Sequence, residues 1–307
     1  MNSTSKALSP VRNYLMKGLT IGAAALALAG CTGTTALADE PGDGPTIVSV
    51  PQDSQEYHAV SNVSQLPAQW EAAMQGMPGR VDIAVYDLRT GETAQWATPG
   101  ADTFNTASIV KYSILVETLR QHQASGEPLS EYDVQQAEAM IQQSDNSAAS
   151  YLWRKAGGAE AMRTFFASIG ANATQLRNSW GVTLTTALDQ LQVLKQLTPL
   201  GTTLTPESIA LMNSILAGVT PSQHWGVSGG VPTDVPVWLK NGWLYDSATG
   251  NDYSGTSSWT VNSIGNVGDR YLIAILSEGN PVGSNRAEQH GIERLETLAG
   301  ITWANLA

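Results

Sequence analysis

The spacing of apolar residues changes along the chain, and each change indicates a different kind of element. The stretch SQLPAQWEAAMQG has helical spacing, whereas RVDIAVYDLRTGETAQWAT after it alternates apolar and polar residues around a Thr-Gly pair. Alternation with a period of two is typical of a half-exposed strand, and a Thr-Gly pair between two such runs is a turn signal. This part of the chain therefore predicts a short helix followed by a β-hairpin.

The middle of the chain, from Thr106 to about Leu216, has helical spacing instead. Its first segment, SIVKYSILVETLRQHQASG, ends at Gly126, and the next segment opens at Ser130 with a Ser-x-x-Asp sequence typical of a helix cap. Further segments with helical spacing follow, and several of them stop at a glycine. We therefore expect a block of helices in this region.

Alternation returns after about Val235, in the stretches VPVWLKNGWLY, TSSWTVNSIGNV and RYLIAILSEG, and the last segment is again helical. Strands at both ends of a chain with helices between them suggest one sheet completed by both parts. The predicted fold class is α+β, with an antiparallel sheet built from N- and C-terminal strands and flanked by helices. An all-helical subdomain is expected to be inserted at about residues 106–223.

A targeting segment precedes this domain. Arg12 and Lys17 are followed by the apolar run GLTIGAAALALAG and then by Cys31, the only cysteine of the chain. The run is too short to span a bilayer as a mature helix. The junction LAGC matches the bacterial lipoprotein signal, in which the cysteine is lipidated and becomes the first residue. The alternative is an ordinary secretory signal that is cut at the later ALA sequence, residues 36–38.

These features predict three parts of the chain. Residues 1–30 are expected to be a lipoprotein signal peptide. Residues 31–62 are rich in Thr, Gly, Pro, Asp and Ser and lack a helical period, so we expect a flexible tether there. Residues 63–307 are expected to form the folded domain.

Charge and composition exclude several classes of function. The chain has 16 Lys and Arg against 27 Asp and Glu, a formal net charge of −11, and cleavage before Cys31 would remove three basic residues and no acidic one. Without a basic cluster, nucleic acid is not an expected partner. A single cysteine leaves no disulfide framework, and the four histidines lack the spacing of a ligand pair. We therefore expect neither a metal nor another cofactor.

Lys111 is an unexpected residue in a helix whose opening turns are otherwise apolar, and it lies one turn after Ser108. Residues three apart share a helix face, so the lysine nitrogen can reach the serine hydroxyl. A desolvated lysine tends to lose its proton and can then act as the base that activates the hydroxyl. Ser-x-x-Lys alone occurs by chance in most proteins. It indicates an active site only in combination with two further sequences.

Those sequences are SDN at residues 144–146, at the start of another predicted helix, and KNG at residues 240–242, on the first of the returning strands. Together with FNTASIVK around Ser108, these ordered motifs resemble the penicillin-recognising serine enzymes, specifically the class A β-lactamase group. The resemblance covers roughly Val63 to the C-terminus. It implies the β-lactamase/transpeptidase fold.

The resemblance also implies a role for each matched residue. Ser108 would be the acyl-accepting nucleophile and Lys111 its base. Ser144 would pass a proton to the leaving group, and Lys240 would provide positive potential for a substrate carboxylate and tune Ser144. The implied substrate-binding residues are Asn146, which would hold the substrate amide, Asn241 and Gly242 of the strand motif, and Trp243, whose backbone N–H would complete an oxyanion hole with that of Ser108.

Two departures from the family pattern bear on activity. The strand motif usually has Thr or Ser where this chain has Asn241, and that hydroxyl helps to bind a substrate carboxylate. A hydrolytic β-lactamase also has a glutamate on the loop before its TT-A sequence, whereas ATQLRNSWGVTLTTALDQ has no acid before Asp189. The segment between Ser108 and Ser144 is short compared with class A enzymes. We therefore expect an open site and poor β-lactam hydrolysis.

Other interpretations of single residues stay open. Lys240 on an alternating strand could be a solvated edge residue, Asp145 a helix cap, and each tryptophan, Trp180 among them, is more typical of a core. The sequence GVSGG fits the G-x-S-x-G of α/β-hydrolases around Ser228, with His290 further along the chain. That motif needs a strand before it and a helix after it, whereas a polar turn and prolines flank it here.

We therefore expect an extracytoplasmic, lipid-anchored serine hydrolase or acyltransferase that forms an acyl-enzyme on Ser108. Its expected partners are an amide or ester substrate, either a small molecule or a peptide such as one from the cell wall, and the membrane through the lipid on Cys31. The alternative is a catalytically silent lipoprotein of the same fold that binds cell-wall peptide in the same pocket.

Overall fold

The computed structural model describes residues 62–246 and 257–306. Contacts within the chain separate Met1–Glu56 from Tyr57–Ala307, and the described residues all belong to the second unit. The predicted signal peptide, Cys31 and the predicted tether up to residue 61 lie outside the described residues. The division of the chain at residues 30 and 62 therefore stays a prediction.

The strands of the described chain form one large antiparallel sheet and one short ladder. They are β1 (Arg80–Asp87), β2 (Thr93–Ala97), β3 (Phe104–Asn105), β4 (Leu184–Thr185), β5 (Val237–Tyr245), β6 (Ser258–Val267) and β7 (Tyr271–Pro281). The order in the large sheet is β2-β1-β7-β6-β5, with every neighbouring pair antiparallel, and β3 pairs with β4 separately. The N-terminal hairpin thus joins the C-terminal strands in one sheet, and this confirms the predicted α+β class.

Helices precede, interrupt and follow this sheet. They are α1 (Leu66–Met74), α2 (Val110–Ser125), α3 (Glu131–Gln142), α4 (Asn146–Lys155), α5 (Gly158–Ser168), α6 (Ala187–Lys195), α7 (Pro206–Ala217) and α8 (Gln289–Leu306). Strand β7 lies at the centre of the sheet, and its apolar run, residues 271–276, is buried. Such a continuous apolar run is typical of a strand that is covered on both faces.

The register of the sheet decides which residues share a face. Gly242 of β5 pairs with Asn262 of β6, so both lie on one face, and strand alternation places Val261 on the other. Helix α8 packs on the Val261 face, because a Cβ on Gly291 would meet the Val261 side chain. The turn that carries Ser108 packs on the Asn262 face, where Asn262 donates to its backbone. The sheet therefore separates α8 from Ser108.

Local sequence signals explain where several elements end. Gly126 follows α2 with φ of 72°, a left-handed conformation that glycine adopts without a Cβ clash. Ser130 and Asp133 form a reciprocal capping box at the start of α3. Gly91, with φ of 76°, lies in the turn between β1 and β2. The predicted hairpin and both helix boundaries are confirmed.

The inserted region differs from the prediction in one respect. Helices α2 to α7 lie in it, but strand β4 lies among them and pairs with β3 in the register Phe104↔Thr185. A two-residue strand is too short to leave a pattern in the sequence, because alternation needs several residues. The ladder has a consequence for the site. It brings the loop before α6 against the Ser108 turn, where Thr106 N donates to Thr183 O at 2.8 Å.

Candidate active site

Ser108 lies in the 3₁₀ turn Ala107–Ile109 directly before α2. Ala107 has φ of 47°, a left-handed conformation that is uncommon for a residue with a Cβ. Among the described non-glycine residues, Ala107 and Ser144 are the two with positive φ, and both lie at this site. Such conformations persist only where the surrounding structure holds them. Ser108 itself is half-buried and is not sealed in the core.

Buried polar side chains from two strands of the sheet hold this turn in place. Asn262 Nδ2 donates to the backbone oxygens of Asn105 and Thr106 at 2.8 and 3.1 Å. Glu278 of β7 accepts the N–H of Asn105 at 2.7 Å and forms an ion pair with Arg80, also at 2.7 Å. Because buried backbone groups need partners, these bonds fix the turn relative to the sheet.

Lys111, in the first turn of α2, is fully buried. Its Nζ donates to the backbone oxygen of Ser144 at 2.6 Å, to Asn146 Oδ1 at 2.7 Å and to Ser144 Oγ at 3.1 Å. The sequence predicts that this nitrogen reaches the hydroxyl of Ser108. Within the described chain no hydrogen bond joins the two residues, and the bonds of Lys111 go to the SDN motif instead.

Lys240 approaches the same hydroxyl from strand β5. Its Nζ donates to Ser144 Oγ at 3.1 Å and to the backbone oxygen of Asn241 at 2.8 Å. The residue is 1% exposed, so the alternative of a solvated edge lysine is wrong. Lys111 and Lys240 therefore both lie within hydrogen-bond distance of the Ser144 hydroxyl. The backbone of Ser144 has a positive φ of 58°.

Burial changes the proton affinity of both lysines, because a charged ammonium is disfavoured away from water. Burial lowers the pKa of Lys111 to about 8, and the nearby charge of Asp145 acts in the opposite direction. Burial, and to a smaller extent the charge of Lys111, lowers the pKa of Lys240 well below its ordinary value. Near neutral pH the pair can therefore hold an unprotonated amine, which is the form that accepts a proton.

The SDN motif divides into a structural and an accessible part. Asp145 is the N-cap of α4, and its Oδ1 accepts the N–H of Ala148 at 2.7 Å, which confirms the predicted capping role. Asn146 follows it and is exposed. Its Oδ1 accepts from Lys111, and its Nδ2 has no partner within the described residues. That amide N–H is available to a ligand.

Strand β5 runs directly beside the backbone of Ser108. A Cβ on Gly242 would lie 2.6 Å from Ser108 N and 2.8 Å from Ile109 N, so a side chain at this position has no room. Trp243 follows Gly242, is half-buried and packs against Trp225 with 5.9 Å between the ring centroids. Gly242 therefore lies directly against the Ser108 turn, and Trp243 is the next residue along the strand.

Asn241 does not present its side chain at this site. The residue is fully buried, and its Nδ2 donates to the backbone oxygens of Gln223 and Trp225 at 2.7 and 3.2 Å. Strand alternation is the reason, because it places Lys240 and Gly242 on one face of β5 and Asn241 on the other. The expectation that the Asn241 side chain contacts a substrate is wrong. The side chain fastens the segment after α7 to the sheet.

An aromatic ring lies over Lys111 on the remaining side. The centroid of Trp180 is 5.1 Å from Lys111 Nζ, and its Nε1 donates to Ser150 Oγ at 3.3 Å. Trp180 belongs to the loop at residues 169–183, which contains no Asp or Glu. Asp189 in α6 accepts a bond from a threonine hydroxyl of this loop at 2.7 Å. Trp180 is half-buried and packs against the hydrophobic core, as expected for a tryptophan, and it lies at the site as well.

The turn around Ser228 lacks the context of a hydrolase nucleophile. In the described chain, residues 226–230 form a turn with no strand directly before it and no helix directly after it. His290 is exposed on α8, where its Nδ1 lies 3.3 Å from Glu293. The α/β-hydrolase interpretation is wrong.

Within residues 62–246 and 257–306, no group of three or more His, Cys, Asp or Glu side chains could hold a metal ion. No helix in this part of the protein is both long enough and apolar enough to cross a membrane. The side chains of the candidate site come from the Ser108 turn, the first turn of α2, the SDN segment at the start of α4, and β5.

Sequence reasoning missed three residues at this site: Trp180, Asn262 and Glu278. A signal for Asn262 exists, because strand alternation places it among buried residues of β6, and a buried amide needs hydrogen-bond partners. Trp180 leaves no comparable signal. Its position over Lys111 results from the path of an irregular loop.

The chain is similar in sequence to known proteins. A sequence model described as "Beta-lactamase enzyme family" matches residues 125–299. Relatives include proteins named "Putative lipoprotein LppW" from Mycobacterium tuberculosis (strain ATCC 25618 / H37Rv) and Mycobacterium bovis (strain ATCC BAA-935 / AF2122/97). Each is 27% identical over an alignment of 217 residues that covers 67% of this chain and 65% of the relative. The match thus spans slightly less than two thirds of the length of these relatives.

Solved structures are similar in fold. The TLA-3 extended-spectrum β-lactamase matches with a TM-score of 0.66 and 15% identity, over 80% of this chain and 99% of that chain. A class A β-lactamase from Bacteroides cellulosilyticus DSM 14838 matches with a TM-score of 0.65 and 15% identity, over 80% and 98%. At this identity the likeness concerns the fold alone.

Proposed function

Because the chain belongs to the β-lactamase enzyme family and has the class A β-lactamase fold, we propose that it is a serine hydrolase or acyltransferase. It works through an acyl-enzyme on Ser108. The observation that carries this proposal is the convergence of Lys111 and Lys240 on the hydroxyl of Ser144. Two buried lysine side chains at one hydroxyl are costly as structure, whereas perturbed titratable groups of this kind are typical of catalytic sites.

Lys111 is the base of the acylation step. A neutral amine has two N–H groups and one lone pair, and the two shortest bonds of Lys111 go to Ser144 O and Asn146 Oδ1. In this neutral state the contact with Ser144 Oγ at 3.1 Å is not an N–H donation, and the lone pair remains to accept a proton. Ser108 Oγ bonds to the carbonyl carbon of the substrate while its proton passes to Lys111. The hydrogen bond between the two residues is expected to form when the substrate binds, since such bonds often tighten only in the complex.

Ser144 completes the proton transfer. Its hydroxyl lies 3.1 Å from both Lys111 and Lys240. A proton held by Lys111 can therefore pass through Ser144 to the leaving group as the bond between carbonyl and leaving group breaks. The positive potential of the lysine pair favours this transfer.

The negative charge that develops on the carbonyl oxygen needs backbone donors. The N–H groups of Ser108 and Trp243 are proposed to form this oxyanion hole, since Gly242 lets β5 lie directly against the Ser108 turn. The exposed amide of Asn146 is proposed to hold the acyl portion of the substrate.

The second half of the reaction lacks a base of its own. Hydrolysis of an acyl-enzyme needs a group that activates water, and such a base contributes about 10² to 10⁴ in rate. The loop at residues 169–183 offers no carboxylate, and Trp180 covers Lys111 there. We therefore expect β-lactam acyl-enzymes to form and to clear slowly, so that the protein is a poor β-lactamase.

The same proposal extends to location. The chain carries its only cysteine in the LAGC junction, and the relatives in mycobacteria are named as lipoproteins. We place the protein outside the cytoplasm, anchored to a membrane through lipidated Cys31. Its substrate is then an amide or ester of the cell envelope, such as a cell-wall peptide.

A second candidate function is a silent binder of cell-wall peptide. Two observations favour it: the acid-free loop over Lys111 and the burial of the Asn241 side chain. Such a protein would bind a peptide at Asn146 without turning it over. A binder needs no base, so the lowered pKa of Lys111 beside Ser144 favours the enzyme as the better proposal.

A panel of neutral activated esters separates the two functions. We expect the wild type to release the ester leaving group in repeated turnovers, Ser108→Ala to lose this activity, and Ser228→Ala to keep it. Steady-state kinetics on the three purified proteins provide the measurement. Turnover that disappears in Ser228→Ala, or no turnover of any ester by the wild type, would contradict the proposed enzyme.

A further inference from the structure

A cleft of about 260 Å³ lies beside the candidate site, between α4 and the loop before β4. Trp180, whose ring faces Lys111, also lines this cleft. The cleft and the candidate active site are therefore adjacent. Arg154 from α4 and Arg177 from the loop line it as well. We refer to this space as the arginine cleft.

The arginine cleft is positively charged within an acidic protein. Arg154 and Arg177 are both exposed, neither has an ion-pair partner among the described residues, and no acid lines the cleft. The chain as a whole has 27 acidic against 16 basic residues. Two unpaired guanidinium groups around one cleft therefore create a local potential opposite to that of the whole molecule, and such clefts concentrate anions.

Two acids on the helices that contact α4 are paired with other basic residues. Asp133 forms an ion pair with Lys155 at 2.5 Å, and Glu160 forms one with Arg163 at 2.8 Å. The two cleft arginines are thus left without the carboxylates that commonly neutralise surface arginines. A guanidinium binds a carboxylate through parallel N–H groups, so an anionic ligand with oxygen acceptors fits them.

Hydrogen-bond donors accompany the two cations. Ser150 Oγ accepts from Trp180 Nε1 at 3.3 Å, so the hydroxyl proton of Ser150 remains available as a donor. The side-chain amide of Asn178 also lines the cleft. The lining therefore combines two charges with neutral donors, as a site for a single carboxylate requires.

Helix α4 contributes residues both to the candidate active site and to the arginine cleft. Asn146, Ser150 and Arg154 follow each other at intervals of four residues, so they lie along one face of α4. Eight residues correspond to about 12 Å along a helix. Because the side chain of Arg154 is long, its guanidinium group can lie closer to Asn146 than the backbone of Arg154 does. A substrate held by its acyl amide at Asn146 can therefore extend along α4 and place a negative group at Arg154.

On the strand side of the site, the cations are either buried or already paired. Arg286 lies 5.9 Å from the ring centroid of Trp243, and it forms an ion pair with Glu288 at 2.7 Å. The Asn241 side chain is buried against Gln223 and Trp225, and Lys240 is 1% exposed with its bonds directed at Ser144 and Asn241 O. The accessible cations beside the site that have no ion-pair partner among the described residues are therefore those of the arginine cleft, on the side of the site where Asn146 lies.

We propose that the arginine cleft is a carboxylate subsite for the acyl portion of the substrate. The substrate class is then an amide or ester of an N-acylated amino acid whose acyl chain ends in a carboxylate, such as an acidic peptide. This inference rests on the proposed function, because the acyl amide at Asn146 sets the position of the carboxylate.

Two esters that differ only in this carboxylate test the subsite. The probes are the 4-nitrophenyl esters of N-acetylglycine and N-succinylglycine, and the measured quantity is the ratio of their kcat/KM values. We expect the wild type to prefer the succinyl ester by about tenfold or more, since hydrogen bonds to charged groups are worth that much. Arg154→Gln and Arg177→Gln should each lower the ratio about tenfold.

Arg89→Gln is the matched control, because Arg89 is exposed on the β1–β2 hairpin at the opposite edge of the sheet from β5. It removes the same charge and should keep the wild-type ratio. A wild type without preference, or a ratio that stays unchanged in both Arg154→Gln and Arg177→Gln, would overturn the subsite.

A binding experiment keeps the subsite testable if no ester is turned over. Calorimetric titration of Ser108→Ala with N-succinylglycinamide should show binding that is about tenfold weaker when Arg154→Gln is added. Binding that depends on Arg154 without any turnover would support the subsite and refute only the proposed enzyme. Absence of binding to Ser108→Ala, or binding unaffected by Arg154→Gln, would refute the subsite itself.

Discussion

Lys111 can serve as a base only after it has lost its proton. Burial lowers the pKa of Lys111 to about 8. The fraction of neutral Lys111 therefore increases as the pH rises toward 8, and it is small at pH values well below 8. Lys240 shares the hydroxyl of Ser144 with it. The two amines therefore titrate as a coupled pair, and an observed inflection belongs to the pair.

The first prediction follows from this titration. We expect kcat/KM for a neutral ester to rise with pH, by close to tenfold per unit below about pH 8, and to level off above it. A neutral ester is chosen because its own charge does not change with pH. Initial rates across about pH 6 to 9 measure the profile. A flat profile would exclude a neutral Lys111 as the base.

A second prediction concerns Trp180, which lies over Lys111 where a water-activating carboxylate is lacking. Trp180→Glu should clear a preformed acyl-enzyme about tenfold faster than the wild type, less than the about 10² to 10⁴ of an optimally placed base. Trp180→Gln is the control, since it has the same size as the glutamate variant and no basic group. Intact-mass spectra over time follow the adduct. Equal lifetimes in the two variants would show that the missing base is not the obstacle.

At the level of elements, the two faces of strand β5 have different roles, because successive side chains point to opposite faces. Lys240 and Gly242 face the nucleophile turn, while Asn241 faces the segment after α7 and holds it. Asn262 of β6 donates hydrogen bonds to the backbone directly before the Ser108 turn. The position of Ser108 thus depends on two neighbouring strands of the sheet.

Gly242→Ala tests this dependence. A Cβ at Gly242 would lie 2.6 Å from Ser108 N, so the nucleophile turn must move. Small-to-large changes in packed regions cost about 1 to 3 kcal/mol, and we expect a folded protein with an acylation rate reduced by about 10². Gly300→Ala in α8 is the control, because a Cβ there meets nothing within 4 Å. Acylation by Gly242→Ala at the wild-type rate would contradict the proposed role of the strand.

The elements also show which parts of the site can be predicted from sequence. Ser108, Ser144 and Lys240 lie in short motifs whose spacing is set within a single helix or strand, and the structure brings them together. The long-range contacts are not encoded locally. Asn262 lies 157 residues from its partner Asn105, and the loop of Trp180 meets Thr106 across 74 residues. Sheet order and loop path create these contacts, and no sequence period specifies either.

Asn241 illustrates a prediction that the sequence could have corrected. The motif match assigns its side chain to the substrate, whereas the period of two in the same strand places it on the opposite face from Lys240. The physical pattern was the better guide, because a side chain reaches only the face to which its backbone position directs it.

For the whole molecule, the proposed lipid anchor determines where Ser108 acts. Two or more acyl chains bind a membrane stably, at about 0.8 kcal/mol per buried CH₂ group. We expect wild-type protein produced in a bacterial host to enter the detergent phase of a phase-separation extraction and Cys31→Ala to stay in the aqueous phase. Mass analysis of the mature N-terminus adds a second readout. Wild-type protein in the aqueous phase, or an N-terminus that begins after residue 38, would support an ordinary secretory signal instead.

The acyl-enzyme itself is the most direct measurement of the proposed mechanism. Wild type and Ser108→Ala are each mixed with a neutral activated ester and, separately, with a penicillin, and intact mass is followed over time. We expect a one-to-one adduct on the peptide that contains Ser108, with no adduct in Ser108→Ala. The penicillin adduct, where it forms, should clear far more slowly than the about 10 turnovers per second typical of enzymes. An adduct on another residue, or sustained penicillin turnover at enzymatic rates, would contradict a Ser108 acyl-enzyme that lacks its own deacylating base.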